Sequence, residues 1–462
     1  MKIRSLFRWR VFAPLMFLAI AVSVLPIVTN TWAAGNSAHA SKHVTVSPFR
    51  KHFKFLQAGV QPPNYYQCIK LIGFPCYSPQ AIRQAYHLTS LLNSGYTGKG
   101  QSIVIIDSYG SPTIRQDLKV FDKGYGLPDP PSFRILAPLG TIAYNPTLYP
   151  DQVGWAYETT LDVEWSHAIA PDANIVLMTS PVDETEGVQG LPEFLYLEKY
   201  AVSHNLGKIV SQSWAATENT LFTPGGRYIF KQFNDFYKQA DQEGVTFFAS
   251  AGDSGSSNVD INGNTYPFPT VGFPASSPYV TAVGGTSLYA KSNGTYRYET
   301  VWDEVALSAG AGGGGISQVF KEPDYQNDTL PASVQSQLNG FRGIPDISYN
   351  ADPLTGILIY ESFTSPAGYV LIGGTSEGSP QWAGIIAIAD QMAGHPLGFL
   401  NSALYQIGNS TKTGASFHDI TIGNNGYNGI PGYDATPGWD LATGWGTPKA
   451  SGLLPALIKA VG

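Results

Sequence analysis

Between Gln101 and Gly252, short continuous apolar runs alternate with longer segments of helical period. The runs are QSIVIIDSY, ANIVLMTS, GKIVSQSW and VTFFASAG. The helical segments are SPTIRQDLKVFDKG, DQVGWAYETTLDVEWSHAIA, LPEFLYLEKYAVSHN and GRYIFKQFNDFYKQADQEG. Apolar runs without polar alternation read as strands buried on both faces. Strands that alternate with helices build a mostly parallel sheet flanked by helices on both faces, so the class is α/β. Its crossovers should be right-handed. An earlier helix is expected in YSPQAIRQAYHLTSLL, with Ser78 as N-cap and Pro79 at its first position. From about Pro278 the pattern becomes Gly-rich and reads as loop, through SAGAGGGGIS. An apolar run then ends in GGTSEGSPQWAG, and a helix begins near Ser379 and Pro380. The tail, FHDITIGNNGYNGIPGYDATPGWDLATGWGTP, is nearly all turns.

The start of the chain departs from this pattern. Lys2, Arg4, Arg8 and Arg10 precede the apolar run Val11 to Val28, and small residues follow. Residues 1–40 thus read as an export signal with cleavage after Ala34 or Ala40. The competing reading is a retained anchor, since eighteen apolar residues just suffice to span a bilayer. Residues 41–77 are basic, then rich in Pro and aromatics, and read as a short leader or N-terminal extension ahead of a domain over 78–462. In that leader Cys68 and Cys76 either close a small loop in an oxidising compartment or remain two inert thiols. Composition narrows the class: with 43% hydrophobic and 13% charged residues the chain can bury a large core and is not disordered. A net charge of -7 gives no reason to expect nucleic acid, and an anionic membrane surface would attract the chain weakly.

Ser376, poised between an apolar run and a helix, looks like a nucleophile in need of a base. Of eight histidines, His39, His43 and His52 fall in the leader, and His204 ends a helix as a capping cation. His167 lies on the polar side of its helix with Thr160 and Glu164, at about 100° per residue. His395 and His418 stay open as bases. On the same helix Glu158 and Asp162 share the side of Trp155, Trp165 and Ile169, four residues apart and therefore neighbours. Two carboxylates in an apolar stripe are costly unless neutralised, so they should share a proton with one pKa raised. A carboxylate base suits acid, where histidine is protonated.

ETTLDVEW, SQSWAATE, FFASAGDSG, GGTSEGSPQWAG and HDITIGNNG with PGWDLATGWGTP together resemble the sedolisin family of serine-carboxyl peptidases, over roughly residues 77–462. The resemblance implies a subtilisin-like fold and a Glu158–Asp162–Ser376 triad, with Asp253 helping the oxyanion. Asp107, at the end of SIVIID, is expected as a further member of the proton-sharing network, and Trp214 near the substrate cleft. SQSWAATE would offer an edge strand to substrate backbone. The loop-rich C-terminal segment would hold one Ca2+ through Asp419, Asp440, the Ile420 carbonyl and backbone oxygens near Thr436 and Gly438; the alternative is that the two aspartates make Asx-turns. The implied protein is a secreted, acid-acting monomer that hydrolyses peptide bonds of proteins or peptides, as an endopeptidase or a tripeptidyl-peptidase. Membrane association follows only if the signal is retained. The leader is shorter than the family's usual propeptide, and is expected to stay packed on the domain. Two other readings compete. Gly374 to Gly378 also spell G-x-S-x-G, the nucleophile elbow of an esterase that would need His395 or His418. A non-catalytic binding protein descended from a peptidase is the other.

Overall fold

The computed structural model describes residues 54–304, 310–410 and 413–462. The proposed signal segment, residues 1–40, and the beginning of the leader lie outside these. The first elements are strand β1 (Lys54–Ala58) and helices α1 (Tyr65–Ile72) and α2 (Pro79–Ala85). The central sheet follows: β2 (Ser102–Ser108), β3 (Phe133–Leu136), β4 (Asn174–Ser180), β5 (Ile209–Gln212), β6 (Thr246–Ser250), β7 (Thr281–Ala290), β8 (Tyr296–Val301) and β9 (Ile347–Asn350). Its order is β8-β7-β6-β5-β2-β4-β3, with β9 also on β7. Every pairing is parallel except the β8–β7 hairpin.

Alternate strand residues enter two separate cores. Ile103, Ile105, Ile175 and Leu177 join one apolar cluster, while Val104, Ile106, Val176 and Met178 join the other. This two-sided burial explains why β2 and β4 read as continuous apolar runs. Helices α3 (Ile114–Tyr125), α4 (Gln152–Ile169) and α7 (Gly378–Ala393) serve the first cluster; α5 (Leu191–Ser203) and α6 (Pro224–Gln242) serve the second.

The Gly-rich reading from Pro278 needs correction, because TAVGGTSLYA is the ten-residue strand β7. Its glycines are packing residues. A Cβ on Gly284 would lie 2.6 Å from Pro345 Cγ, and one on Gly285 would lie 2.9 Å from both Ala351 and Trp302. Glycine within a strand marks such close approach, and it hides the strand from a propensity reading.

The N-terminal extension is built into the same body. β1 pairs antiparallel with β11 (Gly368–Ile372), which also pairs with β10 (Ile357–Glu361). Asn64 and Gln67 form a capping box at α1, and Cys68 and Cys76 are joined in a disulfide. Ser78 caps α2, its Oγ accepting the Ala81 N–H at 3.3 Å, with Pro79 in the first turn. No helix among the described residues is long and apolar enough to cross a membrane.

Candidate active site

Helix α4 is buried along its whole length from Trp155 to Ile169. The stripe of Thr160, Glu164 and His167 is therefore not a solvated face, as its polarity suggested. α4 packs on β2, α3, α7 and β10, so each polar group on that stripe must find an internal partner. Glu164 Oε2 accepts the Tyr360 N–H at 3.0 Å. His167 Nε2 donates to the Pro128 carbonyl at 2.8 Å and lies 3.3 Å from Asp122.

The opposite side of α4 carries Glu158 and Asp162, both fully buried. Asp162 Oδ1 accepts the Ser213 hydroxyl at 3.0 Å, and Asp107 Oδ2 accepts Thr159 Oγ1 at 2.9 Å. Both Glu158 oxygens, Asp162 Oδ2 and Asp107 Oδ1 are left without a hydrogen-bond partner. Burial pushes Glu158 well above the usual carboxylate range, and the charges of Asp162 and Asp107 push it further; the nearby Ser376 hydroxyl acts in the opposite sense. Asp162 is raised in the same way, by burial and then Asp107, and burial takes Asp107 to about 7. Three carboxyls thus share a dry pocket and hold protons between them.

Ser376 sits in the short turn Thr375–Glu377 that runs into α7. Its Oγ is buried and, like the Glu158 carboxyl beside it, has no other hydrogen-bond partner. Asp253, just past β6, holds this turn: its Oδ1 accepts the Thr375 N–H at 2.7 Å and Thr375 Oγ1 at 2.9 Å, while Thr375 Oγ1 accepts the Gly252 N–H at 3.0 Å. Oδ2 is sealed from solvent and unpaired. Burial raises the Asp253 carboxyl to about 6 despite the two Thr375 donors. Gly374 is required here. Its φ is +110°, and a Cβ would come within 2.7 Å of Asp253 Oδ2.

Trp214 is placed differently from the sequence expectation. It is fully buried in the second core, its ring 4.6 Å from Phe194 and 6.1 Å from Phe233, and so packs beneath the site instead of lining a cleft. Ala216–Thr217 already pairs with Gly272–Phe273, which leaves Ser213–Ala215 as the stretch of this segment outside any strand. Neither open histidine is arranged as a base. His395 lies beyond the far end of α7 from Ser376, bonded to the Pro396 carbonyl. His418 is stacked on Tyr296 at 3.7 Å, and burial lowers it to about 3. Ser213, Thr159 and Thr375, which hold the carboxyls, were not singled out from sequence. They lie inside the quoted motifs, but nothing in their spacing says which carboxyl they face.

In the tail, Asp419 and Asp440 clasp one loop. Asp419 accepts the Gly438 N–H at 3.1 and 3.2 Å, and Asp440 Oδ2 accepts the Thr436 N–H at 2.9 Å. Asp440 Oδ1 also accepts the N–H groups of Ala442 and Thr443, as in an Asx-turn. Among the described residues the carbonyls of Ile420, Thr436 and Gly438 accept no backbone hydrogen bond, and no three acidic, His or Cys side chains converge. Two carboxylates with nearby unengaged carbonyls fit an all-oxygen site for a hard cation.

The Subtilase family profile matches residues 140–446. Pseudomonas sedolisin, a serine-carboxyl proteinase solved with two molecules of pseudo-iodotyrostatin, superposes with a TM-score of 0.69 at 30% identity, over 83% of this chain and 98% of that one. Kumamolisin of Bacillus sp. (strain MN-32) is 34% identical over 351 residues, 76% of this chain and 57% of the relative. Sedolisin of Pseudomonas sp. (strain 101) is 34% identical over 344 residues, 73% and 54% respectively. The chain spans about half the length of the curated relatives it matches. Sheet order and nucleophile turn define the class as subtilases. Within it, the chain belongs to the sedolisin family of serine-carboxyl peptidases, with a subtilisin-like α/β fold.

Proposed function

We propose that this chain is a secreted, acid-acting serine peptidase that hydrolyses peptide bonds in proteins and peptides, as an endopeptidase with tripeptidyl-peptidase action also open. The carrying observation is the buried Ser376 hydroxyl beside the Glu158 carboxyl, neither with another hydrogen-bond partner. Ser376 Oγ attacks the scissile carbonyl while Glu158 takes its proton. Glu158 then returns that proton to the leaving amine, and water hydrolyses the acyl-enzyme by the same exchange in reverse. Asp162, held by Ser213, and Asp107, held by Thr159, set the proton affinity of Glu158. The unpaired Asp253 Oδ2, when protonated, donates to the tetrahedral oxyanion together with the Ser376 N–H. Acid favours this donor, and the raised carboxyl pKa values support an acid-working enzyme.

The test is cleavage of denatured protein by the purified full chain across pH, with products read by mass spectrometry. A rate optimum below pH 6 is expected, with Ser376→Ala and Glu158→Ala each losing roughly 1,000-fold or more in kcat. An optimum near pH 8, or either mutant at wild-type rate, overturns the assignment. Export is supported by the N-terminal signal pattern and by the Cys68–Cys76 disulfide, which suits an oxidising compartment.

For the tail, the proposed ligands of one Ca2+ are Asp419, Asp440 and the carbonyls of Ile420, Thr436 and Gly438. When bound, the ion would supply structural cross-linking of a turn-rich segment. Chelation should lower the thermal midpoint at pH 5, and Ca2+ should restore it; Asp440→Asn should remove this response. An unchanged midpoint on chelation argues for Asx-turns alone.

A further inference from the structure

Glu377 follows the nucleophile and ends its turn, yet its carboxyl has no part in the steps above. It is fully buried. Oε1 accepts Asn350 Nδ2 at 3.1 Å. Oε2 has no partner, and neither has Oε1 of Gln381, one helical turn along α7. The two side chains are nonetheless neighbours, and Gln381 Nε2 donates to the Glu377 carbonyl at 3.0 Å. An ionised carboxylate here would set two orphaned acceptors together in a dry interior. A proton on Oε2 turns one of them into a donor and pairs them.

Asn350 is a fixed anchor for such a clasp. Its Oδ1 accepts the Leu288 N–H at 2.9 Å and Thr355 Oγ1 at 3.1 Å, and its Nδ2 also donates to the Thr355 carbonyl at 2.9 Å. Next to it, the Ala351 carbonyl accepts the Gly374 N–H at 2.6 Å, at the entrance of the nucleophile turn. We infer that Glu377 is a positioning residue: as a neutral carboxyl it ties Asn350 of β9 to Gln381 of α7, and so fixes the turn that carries Ser376.

The groups around Glu377 favour the neutral form. Burial raises its proton affinity well above the ordinary range, and the charge of Asp352, in the loop after β9, adds to this. Tyr349 on β9 and Tyr86 beyond α2 also face it. Glu304 acts on Asp352, Glu299 on Tyr86, and Arg83 on Tyr349, though the Arg83 Nε–H is engaged with the Ala168 carbonyl at 2.7 Å. Rising pH ionises the clasp and releases the turn.

The inference rests on the proposed peptidase reading, and its test separates the two. Full-length wild type, Glu377→Gln and Glu377→Ala are compared. Gln is permanently neutral and can both accept from Asn350 and donate to Gln381, so kcat should stay within about threefold of wild type, with activity extending to higher pH. Ala should lower kcat by roughly 10- to 100-fold at nearly unchanged KM, the cost of a misplaced nucleophile. Ala with wild-type kcat and pH profile overturns the inference, as does Gln impaired like Ala at a wild-type unfolding midpoint. A second arm needs no turnover. Between pH 4 and 7 the wild-type thermal midpoint should fall more steeply than that of Glu377→Gln, because only wild type must ionise this group; parallel slopes overturn the clasp. Failure of the peptidase reading would instead appear as a wild type that cleaves nothing.

Discussion

At Asp253 the two carboxyl oxygens have different tasks. Oδ1 is engaged by Thr375, which leaves Oδ2 as the atom able to carry a proton toward a substrate oxygen. Removing an oxyanion donor typically costs 100- to 1,000-fold in kcat, or about 3–4 kcal/mol. Asp253→Ala should show a loss of that order. Asp253→Asn keeps an acceptor for Thr375 and a donor that does not titrate, so it should lose less and hold its activity to higher pH than wild type. Steady-state pH profiles of the two variants decide this. Residues of this kind were unevenly legible from sequence. Glu158 and Asp162 stood out because an i, i+4 carboxylate pair interrupted an apolar stripe. Trp214 was assigned to the cleft by likeness and proved to be core, since one aromatic residue beside a motif has no periodicity that tells its side.

Among the elements, α4 shows where the helical wheel succeeds and where it stops. It placed Glu158 and Asp162 correctly with the apolar side chains. It could not see that β10 and α3 cover the other face, because those contacts lie far away in sequence. Strand β7 was lost for a related reason: its glycines serve Pro345 and Trp302, which only the folded chain brings near. The N-terminal extension depends on a covalent tie. The Cys68–Cys76 loop spans eight residues, and chain-entropy arithmetic gives such a loop about 2–3 kcal/mol of stabilisation. Replacing both cysteines with serine should reduce stability by up to that amount in denaturant titrations at acid pH, with Ser376 chemistry little changed.

Across the whole molecule, buried acids far outnumber buried bases. Arg342, paired with Asp346 at 2.6 Å, is the fully buried Lys or Arg among the described residues. Asp107, Glu186, Glu218 and Asp390 are raised by burial to about 7, and Glu164, Glu184, Glu198 and Glu377 lie well above the usual range. For each, the unfolded chain releases its proton near pH 4 while the folded chain keeps it. Stability is therefore greatest at acid pH and falls as pH rises from about 4 toward 7. His418, lowered to about 3, acts in the other direction below pH 6.5, but it is one group against many. The thermal midpoint should drop by roughly 10 °C or more between pH 4 and pH 7. Scanning calorimetry that finds a flat or rising midpoint would contradict this.

Strand β1 gives the chain's start a structural obligation. It covers the free edge of β11, the strand that leads into the Ser376 turn. A chain shortened to begin at the domain boundary read from sequence would bare that edge, and a bare, apolar edge recruits other strands. Trimming at the N-terminus thus becomes a question of self-association: the shortened molecule carries an open seat for a strand from a second copy, beside its own nucleophile.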